Sequence, residues 1–171
     1  LERALVAPSV PLGIEALPAG EAEPLLAAYH DGVAALPAAF GAWAAVGLAE
    51  PDPAEVARQL DRGFAGACVA ADALAGPAGD ERLGPVLEAL ERRGAPVFVH
   101  PGPATAATGT PAWWPALTDY VAQMQAAWHA FAVWGRPNHP RLRVCFAMLA
   151  GLALLHRERL VARGGAAVSD P

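Results

Sequence analysis

The sequence predicts an α/β protein built on a parallel sheet, either an open doubly wound sheet or part of a (β/α)8 barrel. Two observations carry this. Strand-like and helix-like segments alternate along the chain with short connections, and several of the strand segments are apolar throughout. A strand with no polar alternation is what a sheet covered on both faces requires. What repeats is the βα unit, not the wording of the sequence.

The elements follow in order. "ALVAPSV" (4–10) reads as a short strand running into a loop, and "EAEPLLAAYHDGVAALP" (21–37) as a helix closed by Pro37. "FGAWAAVGLA" (40–49) is the next strand. In "DPAEVARQLDRG" the punctuation is complete: Asp52 as N-cap, Pro53 in the first turn, Glu55 completing a capping box and Gly63 ending the helix. "FAGACVAA" (64–71) is the third strand. A helix over 80–94 follows, capped by Asp80 and ended by Gly94, and then the strand "PVFVH" (96–100).

Beyond a Thr-, Gly- and Pro-rich loop, Trp114, Leu117, Val121, Met124, Trp128 and Phe131 recur at helical spacing and predict one long helix over 113–134. "RLRVCFAML" (141–149) is the fifth strand in this chain, and "LALLHRERLVARGG" a last helix ended by Gly164.

Composition narrows the function classes. A chain of 171 residues predicts one domain with a substantial core. Net charge is −5 and all 12 basic residues are arginine without a basic cluster, which argues against a nucleic-acid partner. No apolar run approaches the ~18 residues of a transmembrane helix. Cys68 and Cys145 lie in apolar runs and read as buried, reduced thiols, and nothing resembles a signal peptide, so a cytoplasmic protein is expected. Leu1 and the loop-like "GGAAVSDP" ending at Pro171 read as cut ends.

One residue stands out. His100 is the last residue of its apolar strand, and Pro101 and Gly102 turn the chain away at once. In parallel α/β folds ligands gather at the carboxyl ends of the strands. An imidazole there is a metal ligand, a general base, or a structural group bonded to a loop carbonyl. His30 and His139 read as helix-face and loop positions, His129 as a packing residue in the long helix, and His156 as a residue of the last helix.

Three stretches, "DPAEVARQLDRGFAGACV", "DERLGPVLEALERRGAPVFVHPGPA" and "HPRLRVCFAMLAGLALLH", resemble the amidohydrolase-related family, the branch that includes aminocarboxymuconate-semialdehyde decarboxylase. The resemblance runs from about residue 5 to 165 and implies an incomplete TIM-type (β/α)8 barrel covering about strands two to six, so that 1–171 is a partial barrel domain. It implies a metal-dependent hydrolase or non-oxidative decarboxylase acting on a small cyclic or carboxylated substrate, with one divalent metal ion, expected to be zinc. His100 matches the fifth-strand metal ligand. The first-strand pair would precede Leu1 and the eighth-strand Asp would follow Pro171, Asp170 being too early.

The sixth strand departs from the family. Members of that branch end it in "CFAHGGG", where the His carries protons; here "CFAMLAG" puts Met148 in its place. A thioether has no exchangeable proton, so the catalytic residue is left unassigned. The fourth barrel strand lacks the lysine that bridges two metals in binuclear relatives, leaving Asp72 as the lone carboxylate there and favouring a single ion. Trp113, Trp114 and Met148 are expected around the substrate. The other reading is a catalytically diverged barrel that binds a metabolite or a partner subunit. No nucleic acid or membrane is expected, and a homodimer is left open.

Overall fold

In the computed structural model, residues 3–165 are described. Five parallel strands form one sheet in chain order: β1 (Ala4–Val6), β2 (Phe40–Ala45), β3 (Gly66–Ala70), β4 (Val97–His100) and β5 (Val144–Phe146). Each strand pairs with the next one in sequence through a crossover helix. The result is an incomplete (β/α)8 barrel, as the sequence predicts.

The crossovers are α1 (Ala19–Ala34), α2 (Pro53–Asp61), α3 (Pro77–Arg92), then α4 (Trp114–Leu117) with α5 (Asp119–Ala130). The short α6 (Arg136–Asn138) precedes β5, and a turn α7 (Met148–Gly151) and helix α8 (Arg157–Ala162) follow it. Helix starts obey ordinary capping rules in part. Asp52 accepts from Ala54 N–H at 2.8 Å, so the α2 cap is real. Glu55 does not reach back to close the box; its carboxylate takes Arg58 and Gln59 instead. Asp80 is not the cap of α3, which begins three residues earlier at Pro77; its side chain accepts from Asn138 at 2.7 Å.

The core lies between the sheet and its helices. Leu83, Val86, Leu87 and Leu90 of α3 are fully buried, as are Val97 and Val99 on the helix-facing side of β4. At β2–β3 the strands approach so closely that Gly66 stands opposite Trp43, where a Cβ would run into the Pro96 carbonyl and come 2.8 Å from the indole ring.

The structure corrects several expectations. The 113–134 segment is not one helix: it breaks at Thr118 and ends in a π-helical turn over Phe131–Gly135, where Arg136 lies over the Phe131 ring at 5.1 Å. Cys68 is buried but Cys145 is exposed: both are in register with Phe98 on the inner face, but Cys145 lies on β5, the edge strand of the described sheet, with no strand beyond it. His30 lies on α1 and His139 in the turn before β5, as the sequence reads, but both are buried, at 1% and 6% exposure. Asp170 lies outside the described residues.

Candidate functional site

Alternation along β4 places His100. Val97 and Val99 point at the helices, so Phe98 and His100 share the opposite, inner face, where both are half-buried. Ala70 is the direct neighbour of His100 on β3. The imidazole stands edge-on to Phe98 with 5.9 Å between ring centres, and Phe98 in turn stacks on Trp43 at 5.3 Å. An aromatic row therefore lines the inner wall up to the histidine.

The turn after His100 fixes its tautomer. His100 Nδ1 lies 3.0 Å from the Pro101 carbonyl, which can only accept, so Nδ1 carries the proton. In the neutral ring Nε2 then keeps its lone pair, the state a metal ligand or proton acceptor needs. Two hydrogen bonds from α5 hold the turn: Gly102 N–H donates to Gln123 Oε1 at 2.8 Å, and Gln123 Nε2 donates to the Pro103 carbonyl at 2.9 Å. Gly102 packs directly on the Asp72 carboxylate, leaving no room for a side chain there.

A second group was not found from the sequence. Glu15 sits in a 3-10 turn (Ile14–Ala16) after β1 and is only 4% exposed. Its carbonyl accepts from Leu48 N–H at 2.6 Å, and the adjacent Gly13, at φ 74°, packs toward Pro103. The segment thus spans the carboxyl ends of the strands from β2 to the turn after β4. Burial raises the Glu15 carboxyl pKa; its own backbone N–H and the charge of His100 pull the other way. Its Oε2 has no hydrogen-bond partner. The signal available in sequence was a lone acid in the apolar, Pro-bounded "PLGIEALP".

The other predicted residues are dispersed. Trp113 and Trp114 are exposed at the start of α4, with their rings 5.7 Å apart. Met148 is 41% exposed and opens a left-handed turn in which Met148, Leu149, Ala150 and Leu152 have φ of 49°, 52°, 54° and 64°. The family motif that this stretch resembles carries glycines after its His, residues for which such φ values are free. Here leucine and alanine bear them. His129 and His156 lie together in a shallow groove with Arg159 and Arg163, away from His100.

As a metal centre the described part is incomplete. Among the described residues no three His, Cys, Asp or Glu side chains stand close enough to share an ion. His100 offers one nitrogen and Glu15 one buried carboxylate, short of the three protein ligands of a catalytic zinc site.

A curled parallel sheet with a histidine at one strand end defines the class as a barrel of the (β/α)8 type, and comparison with known proteins agrees. No family model matches the sequence, and no curated protein matches it. Solved structures do. The chain superimposes on 5-carboxyvanillate decarboxylase from Novosphingobium aromaticivorans, solved with manganese and a nitrobenzoic acid ligand. The TM-score is 0.76 at 18% identity, over 95% of this chain and 50% of that one. It also matches a protein described as amidohydrolase II (TM-score 0.72, 18% identity, 85% and 51% covered) and IDCase from Metarhizium anisopliae (0.73, 13%, 100% and 52%). At these identities the likeness is one of fold. The chain spans about half the length of these neighbours.

Proposed function

We propose that this chain forms one half of a metal-dependent barrel of the amidohydrolase type, a hydrolase or non-oxidative decarboxylase acting on a small cyclic or carboxylated substrate. The observation that supports it most is His100: an imidazole at the carboxyl end of β4 with its Nε2 lone pair free, in a fold shared with a manganese-bearing decarboxylase. In this reading His100 is one ligand of a single divalent ion, and the remaining ligands come from barrel strands outside this sequence. The chemistry such an ion supplies is Lewis-acid polarisation of a carbonyl or carboxylate. Zinc remains the proposed ion, with manganese the alternative that the neighbour suggests. Trp113, Trp114 and Met148 are proposed to face the substrate, and the cytoplasm is the proposed compartment. Among the described residues no helix is long and apolar enough to cross a membrane.

One observation favours a second reading, a diverged barrel without catalysis. The turn from Met148 to Leu152 lacks an acid or base and holds a backbone conformation foreign to its side chains. The two readings separate in one experiment on the full-length protein: metal content by elemental analysis, followed by assay of the metal-loaded protein against aromatic and muconate-like carboxylates. Bound metal with turnover supports the enzyme. Bound metal without turnover supports the diverged barrel; absence of metal from protein purified in its presence removes His100 as a ligand and the metal-dependent enzyme with it, and leaves the diverged barrel.

A further inference from the structure

The peptide unit between Pro101 and Gly102 is bonded at both ends. Its carbonyl oxygen lies 3.0 Å from His100 Nδ1, and its N–H donates to Gln123 Oε1 at 2.8 Å. Among the described residues no peptide is cis, so this unit is trans and planar, with C=O and N–H pointing opposite ways. Whatever holds the N–H therefore also aims the carbonyl at the imidazole.

Gln123 holds it with both ends of its amide. Gly102 N–H can only donate and the Pro103 carbonyl can only accept, so Oε1 faces Gly102 and Nε2 faces Pro103, at 2.9 Å. On its other side the buried Gly102 packs against the Asp72 carboxylate. The turn is wedged between Asp72 and α5, and rotating the Pro101–Gly102 plane would break the bond to Gln123. The bonds also reinforce one another. A peptide whose N–H is engaged has a more strongly accepting carbonyl. A stronger acceptor at Nδ1–H makes Nε2 the better lone-pair donor, and groups that hold the far nitrogen of a ligating histidine change metal affinity by about 10–100-fold.

We propose that Gln123 is a positioning residue for His100: through the Pro101–Gly102 peptide it keeps the neutral ring in its Nδ1–H form, with Nε2 as the free nitrogen. The consequence for metal affinity rests on the reading of His100 as a ligand; the effect on the tautomer does not. Gln125 supplies the comparison. It is on the same helix, is likewise half-buried, and donates to the Gly151 carbonyl at 2.7 Å, in the turn after β5. Its removal loses a bond of the same kind without touching the His100 turn.

The test uses the full-length protein, metal-free and labelled with 15N-histidine, at about pH 8, above the ordinary titration range of imidazole. Ring 15N shifts should show His100 protonated on Nδ1 alone in the wild type. In Gln123→Ala, which keeps a good helix former, the ring should redistribute between its two tautomers. Gln123→Glu, which still accepts from Gly102 N–H, should restore the single form, and Gln125→Ala should leave the His100 signals as they are. Zinc affinity, measured against a competing chelator, should fall about 10–100-fold in Gln123→Ala and stay within about twofold in Gln125→Ala. An unchanged tautomer or unchanged zinc affinity in Gln123→Ala would overturn the proposal, as would an equal effect of Gln125→Ala. If the wild-type protein binds no zinc, the metal reading of His100 falls, and the tautomer comparison alone decides on Gln123.

Discussion

Ala45 donates its backbone N–H to His30 Nε2 over 3.0 Å, and the reason lies in where β1 stops. The last β1–β2 pair is Val6 with Ala42. Beyond it the edge of β2 has no strand beside it, and α1 takes over: Tyr29 Oη donates to the Trp43 carbonyl at 2.8 Å, and His30 accepts from Ala45. Two side chains thus stand in for a strand.

This arrangement sets a pH dependence. Burial lowers the His30 pKa, assisted by Arg62, while Glu55 and Asp31 oppose it. Protonation would also remove the lone pair that Ala45 needs. A base whose folded pKa lies below its unfolded value contributes stability that is complete above the unfolded value, ~6.5, and lost as pH falls from there through the folded one. Chemical denaturation between pH 7.5 and 5 should show falling stability, and the fall should be smaller in His30→Gln.

Replacing the imidazole altogether should cost more. In His30→Leu the Ala45 N–H is buried without a partner, a loss of about 1–3 kcal/mol. Amide exchange at Ala45 should quicken more than at Val97, which lies on the far side of the sheet and bonds to the Arg143 carbonyl.

At the candidate site the expectation is the reverse. His100 is half-buried and makes one local bond, to Pro101. His100→Ala should leave the unfolding midpoint nearly unchanged while the metal-to-protein ratio of the full-length protein drops. Unchanged metal content would remove His100 from the ligand set.

Gly66→Ala tests the close approach of β2 and β3. The new methyl would meet the Pro96 carbonyl and the Trp43 ring, both held by the sheet. Overpacking of this kind costs about 1–3 kcal/mol or more. Loss of soluble protein, or a midpoint lowered by that amount, is the expected result.

The left-handed turn gives a stabilising prediction. Leu149 holds φ 52° and is 78% exposed, so its side chain contributes little packing. A residue with a Cβ in that region costs about 1–2 kcal/mol, and glycine returns roughly 0.5–1 kcal/mol of that to unfolded-state entropy. Leu149→Gly should therefore gain up to about 1 kcal/mol, read as a raised Tm.

Much of the sheet was legible in the residues. The apolar run at 64–71 marks β3, which is buried on both faces, the run at 96–100 marks β4, and "HPG" marks the end of β4 because proline cannot continue the ladder. The expected strands ran long where the chain leaves the sheet but stays apolar, as after Val6 and Ala45. That His30 lies on a helix is legible, but its bond to the edge of β2 is not, because helical periodicity does not reveal that β1 ends early. Glu15 was missed because a 3-10 turn has no periodic signature. The turn at Met148 was hidden for a different reason: "MLAGLALL" has the composition of a helix, and nothing local in it announces positive φ.

The strand order carries a consequence for how the molecule is made. Because β1 to β5 lie in the sheet in the order they lie in the chain, each strand docks on the edge left by its predecessor. Among these five strands no pairing waits for a segment synthesised much later. A nascent chain emerging amino-terminus first can add βα units one at a time, and each addition buries the edge that the previous step exposed. Vulnerability to aggregation then travels with the growing edge along the ribosome-bound chain, and at β5 it rests on the exposed side chains of Met148, Leu149, Leu152, Leu154 and Leu155.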